Sequence, residues 1–442
     1  MGKYKWYSPF FKLQPSKKIN SWITTRDSLN EGIFQIQINF FLLISLNKCY
    51  LCFYLNNLST MLTSKIFQRL IKNTLTAIFT ILPFISLTNF AFAENDEVKV
   101  GWIGPMSGPL AKYGVYEAAL LAEQEVNRLG GINGKKLKII YEDGKGEGKT
   151  AIVAAHKLIN VDKVKFILGG HCSPESLAIA PVLEKNKVIM LAAITSNPKL
   201  SNSGDYIFRI TAVSTIHSKI LADFALNKLN AKSIAILFEE TDYTLPPAEF
   251  LAELAVKNNL KITDKIPFHI GEIDFKTLIT RTITKKPEII YLGVQSPETA
   301  ILFMRQLNSF NYTGQIFGNE ITGNAFMTQK NTAEIFEGLI FAEPQFENNK
   351  SPTKEFIELY EKKYKTIGLP NGIWTAEAYD TVFLLSNILK NCGLETEQVK
   401  KCLYQTKNFI GASGKISIDK LGDGIRNYQI KKIRSGKISK LN

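Results

Sequence analysis

The sequence predicts an α/β fold of two doubly wound parallel-sheet lobes. Two observations within the chain carry the two-lobed reading. From residue 98 onward, short apolar β-rich runs alternate with amphipathic helical stretches, and this alternation occurs in two tandem blocks with no Pro-rich or Ser-rich linker between them. The first block reads as strand 98–103, helix 115–129, strand 137–141, helix 150–158, strand 164–168, helix 174–185 and strand 188–192. Ala118, Ala119, Ala122 and Val126 share one face of its first helix, and Gly130-Gly131 stops that helix. The second block reads as helix 216–229, strand 233–238, helix 246–258, strand 260–267, helix 275–284, strand 289–293 and helix 298–307. Two open sheets in tandem leave a crevice between the carboxyl ends of their strands, where ligands of such sheets bind.

Ahead of the first strand, residues 61–93 read as a secretory signal peptide. Lys65, Arg69 and Lys72 form its positive region, residues 75–87 its apolar region and Ala91-Phe92-Ala93 a small-x-small cleavage site. Residues 1–60 mix Lys, Asn, Ile, Phe and Tyr without a sustained period and read as an extension ahead of the true start. A membrane anchor at 33–46 is the rival reading, weakened by Gln35, Gln37 and Asn39 and by a length short of a span. Without residues 1–93 the formal charge falls from +14 to +6, too modest to indicate nucleic acid. Cys392 and Cys402 are close in sequence, the second at the end of a helix-like stretch at 395–403. An oxidising compartment predicts a disulfide between them, with two buried free thiols as the alternative, and Cys172 is left as the odd thiol.

Catalytic chemistry finds little foothold. The loop from Asp143 to Thr150 nearly spells a phosphate-binding loop, but Asp143 replaces the first glycine and Glu147 puts a carboxylate among the amides that would cradle phosphate. The histidines at 156, 171, 217 and 269 show no metal-ligand spacing, and His171-Cys172 are neighbours on one segment rather than an oriented pair. Neither an enzyme nor a cofactor is expected. Ser173-Pro174-Glu175-Ser176 is more informative. It follows a buried strand and Gly169-Gly170, and reads as a Ser N-cap with Pro at the first helical position, aiming free N–H groups into the crevice. Such a terminus suits a carboxylate, and the polar turn from Thr195 to Pro198 faces the same mouth.

Gly104-Pro105-Met106-Ser107-Gly108-Pro109, Tyr113-Gly114, Gly130-Gly131-Ile132-Asn133-Gly134 and Tyr141-Glu142-Asp143 follow in order. After them come Ser196-Asn197-Pro198-Lys199-Leu200, Phe208-Arg209, Asp242-Tyr243, Asp274-Phe275, Tyr379-Asp380 and Gly411-Ala412-Ser413-Gly414. In order and spacing this series closely resembles the periplasmic leucine/isoleucine/valine-type binding proteins of ABC importers, over residues 97–435. The resemblance implies the type I periplasmic binding fold, with 94–213 plus 343–423 as one lobe, 214–342 plus 424–442 as the other, and hinges near Ser214, Ala342 and Gly424. It implies an α-carboxylate site at Ser173, Thr195 and Ser196, an ammonium partner at Glu320, and aromatic positions at Tyr113 and Tyr243. Trp374 stands where the leucine binder has a tyrosine. Thr244 to Pro247 replaces a glycine-bearing turn, Gln295-Ser296 replaces an aromatic pair, and Lys145 replaces the partner of Cys172 in an early disulfide.

The implied role is that of a monomeric periplasmic protein that captures an amino acid, branched-chain or otherwise hydrophobic, and delivers it to a membrane permease. The alternative is a binding protein for an amide, a short-chain acid or a polar amino acid that serves a receptor.

Overall fold

The computed structural model describes residues 97–441; the expected signal peptide and the extension before it lie outside the described residues. The first block builds β1 (Glu97–Gly104), α1 (Val115–Arg128), β2 (Lys136–Asp143), α2 (Gly148–Asn160), β3 (Phe166–Gly169), α3 (Ser173–Lys185), β4 (Ile189–Ala192) and β5 (Ile207–Arg209). Its five strands pair in parallel in the order β2-β1-β3-β4-β5. Both faces are covered, so the strands are apolar on both sides. Ala151, Ala155 and Leu158 of α2 and Ile179 and Leu183 of α3 meet Ile103, Ile167 and Met190. On the other face Val115, Ala118, Ala122 and Val126 of α1 pack against Val100, Trp102 and Leu168.

The second block builds α4 (Thr215–Asn227), β6 (Ser233–Glu239), α5 (Leu245–Lys257), β7 (Lys261–Phe268), α6 (Lys276–Thr284) and β8 (Ile289–Gly293). It continues with α7 (Pro297–Asn308), β9 (Gln315–Gly318), α8 (Glu320–Asn324) and β10 (Ile340–Pro344). β6 shows why this sheet needs two helical layers. Ile234, Ile236 and Phe238 face Leu221, Leu251 and Ala255 of α4 and α5, while Ala235 and Leu237 face Ile279 and Phe303 of α6 and α7.

After β10 the chain returns towards the first block through α9 (Thr353–Tyr364), α10 (Gly372–Cys392) and α11 (Thr396–Tyr404), and α10 packs along α1. A small antiparallel sheet follows, made of β11 (Phe409–Gly411), β12 (Gly414–Ile418) and β13 (Gly424–Ile425). The chain then ends as β14 (Tyr428–Arg434) and β15 (Lys437–Lys440) on the edge of the second sheet, whose order is β15-β14-β10-β9-β8-β6-β7.

The second sheet is parallel from β7 through β10, as the sequence reading expected, and gains an antiparallel edge. β14 runs antiparallel to β10 because the chain re-enters from the far end, and β15 folds back on β14. Ser435 and Gly436, both at positive φ, form a two-residue turn whose twist matches that of paired strands. Lys437 and Lys440 on β15 discourage further pairing at this edge.

Two buried arginines tie the crossing segments together. Arg209 at the end of β5 pairs with Asp423 at 2.7 Å, and Arg426 between β13 and β14 donates to the carbonyls of Ile210, Ser413 and Lys415. Cys392 and Cys402 are disulfide-bonded, which staples the end of α10 to α11, and Cys172 is free.

Candidate functional site

The two sheets present the carboxyl ends of their strands to one cleft, and the polar residues singled out in the sequence lie on the loops that leave those ends. Gly169 and Gly170 explain how α3 starts so close to the sheet. A Cβ on Gly169, at φ 127°, would lie 2.0 Å from the Ile103 carbonyl oxygen, and one on Gly170 would lie 2.5 Å from the Glu175 side chain.

In the structure Cys172 takes the cap position and Ser173 is the first helical residue, so the helix starts one residue earlier than the sequence reading, which put Ser173 at the cap and Pro174 first. The difference has a consequence. The Ser173 hydroxyl is not used to cap the helix, and its Oγ is buried with no partner among the described residues. The first-turn amides of α3 lack intrahelical acceptors, as in any helix, and favour an anion. Glu175 is buried beneath this turn, accepts from the amides of Gly146 (2.9 Å) and His171 (3.0 Å), and is pushed by burial up to about 7.

Thr195 and Ser196 follow β4, but their hydroxyls differ. Thr195 Oγ1 donates to the Gly170 carbonyl at 2.9 Å and lies 2.6 Å from Ser176 Oγ, so it braces the loop rather than facing the cleft. Ser196 Oγ is buried and has no partner among the described residues. This turn is held from behind by Arg209, whose Nη1 donates to the carbonyls of Thr195 (3.2 Å) and Asn197 (2.7 Å).

The opposite side of the cleft is built differently. Glu320 begins the short helix α8 rather than lying in an open loop, and Asn319 caps that helix by accepting from the Thr322 amide. Although buried, Glu320 is held below the usual carboxylate range. Burial pushes it up, but His217, with Nδ1 3.4 Å from Oε1, and the Tyr243 hydroxyl, donating to Oε2 at 3.0 Å, outweigh it. His217 belongs to α4, and its Nε2 lies 3.3 Å from the Tyr291 hydroxyl.

Three aromatic rings wall the cleft between these ends. Trp374, in the first turn of α10, meets Tyr113 at 5.5 Å and Tyr243 at 5.9 Å between centroids, both edge-on, an arrangement that aromatic quadrupoles favour. Thr375 beside it donates to the Tyr113 carbonyl at 2.9 Å. The lobes touch across the mouth. Tyr113 donates its hydroxyl to the Gln295 carbonyl, Asn197 donates its side-chain amide to the Asp242 carbonyl, and Lys112 lies 2.5 Å from Glu298. The cavity left between them, about 20 Å³, is bordered by Leu110, Tyr113, His171, Ser173, Gln295 and Trp374, among others.

The near-phosphate loop has no free cradle. Asp143 accepts from the amides of Met106 and Lys145 and from the Ser107 hydroxyl, and Glu147 accepts from Thr150, so the carboxylates fill the loop themselves.

Sequence reading expected Tyr113, Ser173, Thr195, Ser196, Tyr243, Glu320 and Trp374 at one site; Tyr113, Ser173, Tyr243 and Trp374 border the cavity, Glu320 adjoins it through the Tyr243 hydroxyl, and Ser196 lies on the turn after β4. Sequence reading missed His217 and Arg209 as parts of the site. Phe208-Arg209 stood among the matching motifs and could have pointed to the arginine, whereas His217 carried no local signal.

Two facing α/β lobes with a polar cleft between them define a two-lobed ligand-binding protein of the type I periplasmic class. Residues 97–437 match the profile of the periplasmic binding protein family, and the chain belongs to that family. It is similar to the leucine-, isoleucine-, valine-, threonine-, and alanine-binding protein of Pseudomonas aeruginosa, at 25% identity over 80% of this chain and 94% of that one. It is also similar to the solved leucine binding protein of Thermotoga maritima, at 25% identity and a TM-score of 0.70, covering 78% of this chain and 98% of that one. A third is the branched-chain amino acid transporter substrate binding protein of Streptococcus pneumoniae, solved with isoleucine. There the identity is 25% and the TM-score 0.69, covering 78% of this chain and 100% of that one.

Proposed function

We propose that this chain is an extracytoplasmic solute-binding protein that captures a free amino acid between its lobes and delivers it to the permease of an ABC importer. The observation that carries this reading is Glu320, a buried carboxylate that His217 and Tyr243 hold below its ordinary range, with the Tyr243 side chain bordering the same cavity as Ser173. An α-ammonium adds a close cationic partner to a buried carboxylate that otherwise meets, among the described side chains, only the His217 ring at 3.4 Å and the Tyr243 hydroxyl. The α-carboxylate goes to the hydroxyls of Ser173 and Ser196 and the first-turn amides of α3. Thr195 supports that end through its loop. Closure removes water from both charges and strengthens their pairing, so molecules lacking either group are rejected.

The apolar wall of Leu110, Ile194 and Trp374 supports a small amino acid whose side chain offers an apolar face, as those named for the relatives do, with Tyr113 and Tyr243 closing over it. Residues 61–93 direct export to the periplasm. Hinges near Ser214, Ala342 and Gly424 let 94–213 plus 343–423 close against 214–342 plus 424–442. Ligand shifts the population towards the closed form, and that form docks as a monomer on the permease.

Calorimetric titration of residues 94–442 with leucine, isoleucine and valine, alongside 4-methylpentanoate and 3-methylbutylamine, tests the clamp. Both analogues are expected to bind at least about 100-fold more weakly than the amino acid they mimic. An analogue lacking the ammonium that binds as tightly would overturn it.

A further inference from the structure

The proposed clamp uses Ser173, Ser196 and Glu320, yet two more buried polar groups border the cavity that Ser173 lines, with no partner among the described residues. His171 is fully buried at the cavity wall, and neither ring nitrogen has a partner among the described residues. One face of its ring is covered by Trp102, with centroids 4.7 Å apart, so its hydrogen-bonding edge has no stacking role. From the other lobe, Gln295 borders the cavity with a buried, unpartnered Oε1. Its backbone is held in place: its amide donates to Glu239 Oε2 at 2.7 Å and its carbonyl accepts from Tyr113.

Leaving such groups dry and unpaired costs about 1–3 kcal/mol each. Two groups on opposite lobes, meeting at one cavity, point to a shared partner there. A neutral imidazole offers one donor and one acceptor. Burial drives His171 down to about 3, so it stays neutral at any working pH and does not compete with Glu320 for a charge.

We infer that the side-chain end of the site recognises a hydroxyl or carboxamide: His171 and Gln295 hydrogen-bond a polar group on a small amino acid, against the apolar wall of Leu110, Ile194 and Trp374. This rests on the amino-acid clamp proposed above. A purely apolar pocket discriminates poorly between isosteres that differ by a hydroxyl, whereas a site with built-in partners rejects the analogue that leaves them unpaired.

Isosteric pairs test it directly. Calorimetry on residues 94–442 should show threonine preferred over valine, or asparagine over leucine, by about tenfold or more. That preference should shrink by about tenfold in His171→Leu and in Gln295→Leu. Two variants from different lobes guard against one failing to fold, and the wild-type ratios need no variant. Equal or tighter binding of both hydrocarbon members by the wild type overturns the inference, and so do ratios that both variants leave unchanged. Alanine separates the two levels of argument. If alanine binds and neither polar side chain adds affinity, this inference alone fails. If none of the five amino acids binds, the clamp fails and takes this inference with it.

Discussion

The two ends of the cleft achieve opposite polarity by different means. The first-lobe end proposed for the carboxylate consists, among the described residues, of two unpartnered hydroxyls and a helix start placed by Gly169-Gly170, Thr195 and Arg209. The second-lobe end is a single carboxylate whose charge depends on two neighbours, His217 and Tyr243. An end built from backbone and several weak donors loses affinity in small steps when altered. An end that is one buried charge fails at once.

Replacing the charge should have the largest effect. Glu320→Gln should weaken amino-acid binding by about 100- to 1,000-fold, consistent with roughly 3–4 kcal/mol for a buried charge pair losing one member. Calorimetry reads this, and a loss under about tenfold would make the two ends equivalent. Next comes the support of the anion end. Arg209→Met leaves Asp423 buried without its partner and should lower stability by about 3 kcal/mol in urea unfolding. Ser173→Ala is expected to cost only about tenfold in affinity, with a similar loss in Ser196→Ala. If either serine matched Glu320→Gln, the first-lobe end would also depend on a single group.

The smallest expected effect concerns pH. Glu377, one turn beyond Trp374 on α10, is fully buried, with Arg426 Nη2 3.1 Å from Oε1; burial drives it up to about 7, against the pull of Arg426 and with a push from Asp380 and Glu320. In the unfolded chain it titrates at an ordinary glutamate value. Between that value and about 7 the folded chain therefore holds a proton that the unfolded chain has released, and stability contributed by this group falls as pH rises. Glu377→Gln should gain on the wild type in urea unfolding as pH rises from about 5 to about 8. A constant gap would show that Glu377 titrates alike in both states.

Much of the architecture was legible because the two tandem blocks alternate cleanly. The 21-residue helix α10 was not among the expected elements, for a physical reason. Fifteen of its residues are buried, from Ile373 to Leu389, so it has no polar face and leaves no helical period to read. The returning hairpin of β14 and β15 is a tertiary event, set where a distant segment re-enters the sheet. In the site, Ser173 and Glu320 could be matched by their motifs. The inward turn of the Thr195 hydroxyl depends on the Gly170 carbonyl on another strand end, and His217 meets Glu320 across 103 positions of sequence. Neither relation leaves a local mark.

The ion pair between Lys112 and Glu298 sits at the mouth, with both side chains more than half exposed. In the proposed cycle this pair forms only on closure, so its expected effect is on escape rather than on entry. Exposed pairs are weak and salt-screened. If that cycle holds, ionic strength acts as a timer: the expected outcome is a longer dwell of the ligand in dilute medium and a faster release in brine, with the rate of loading nearly constant.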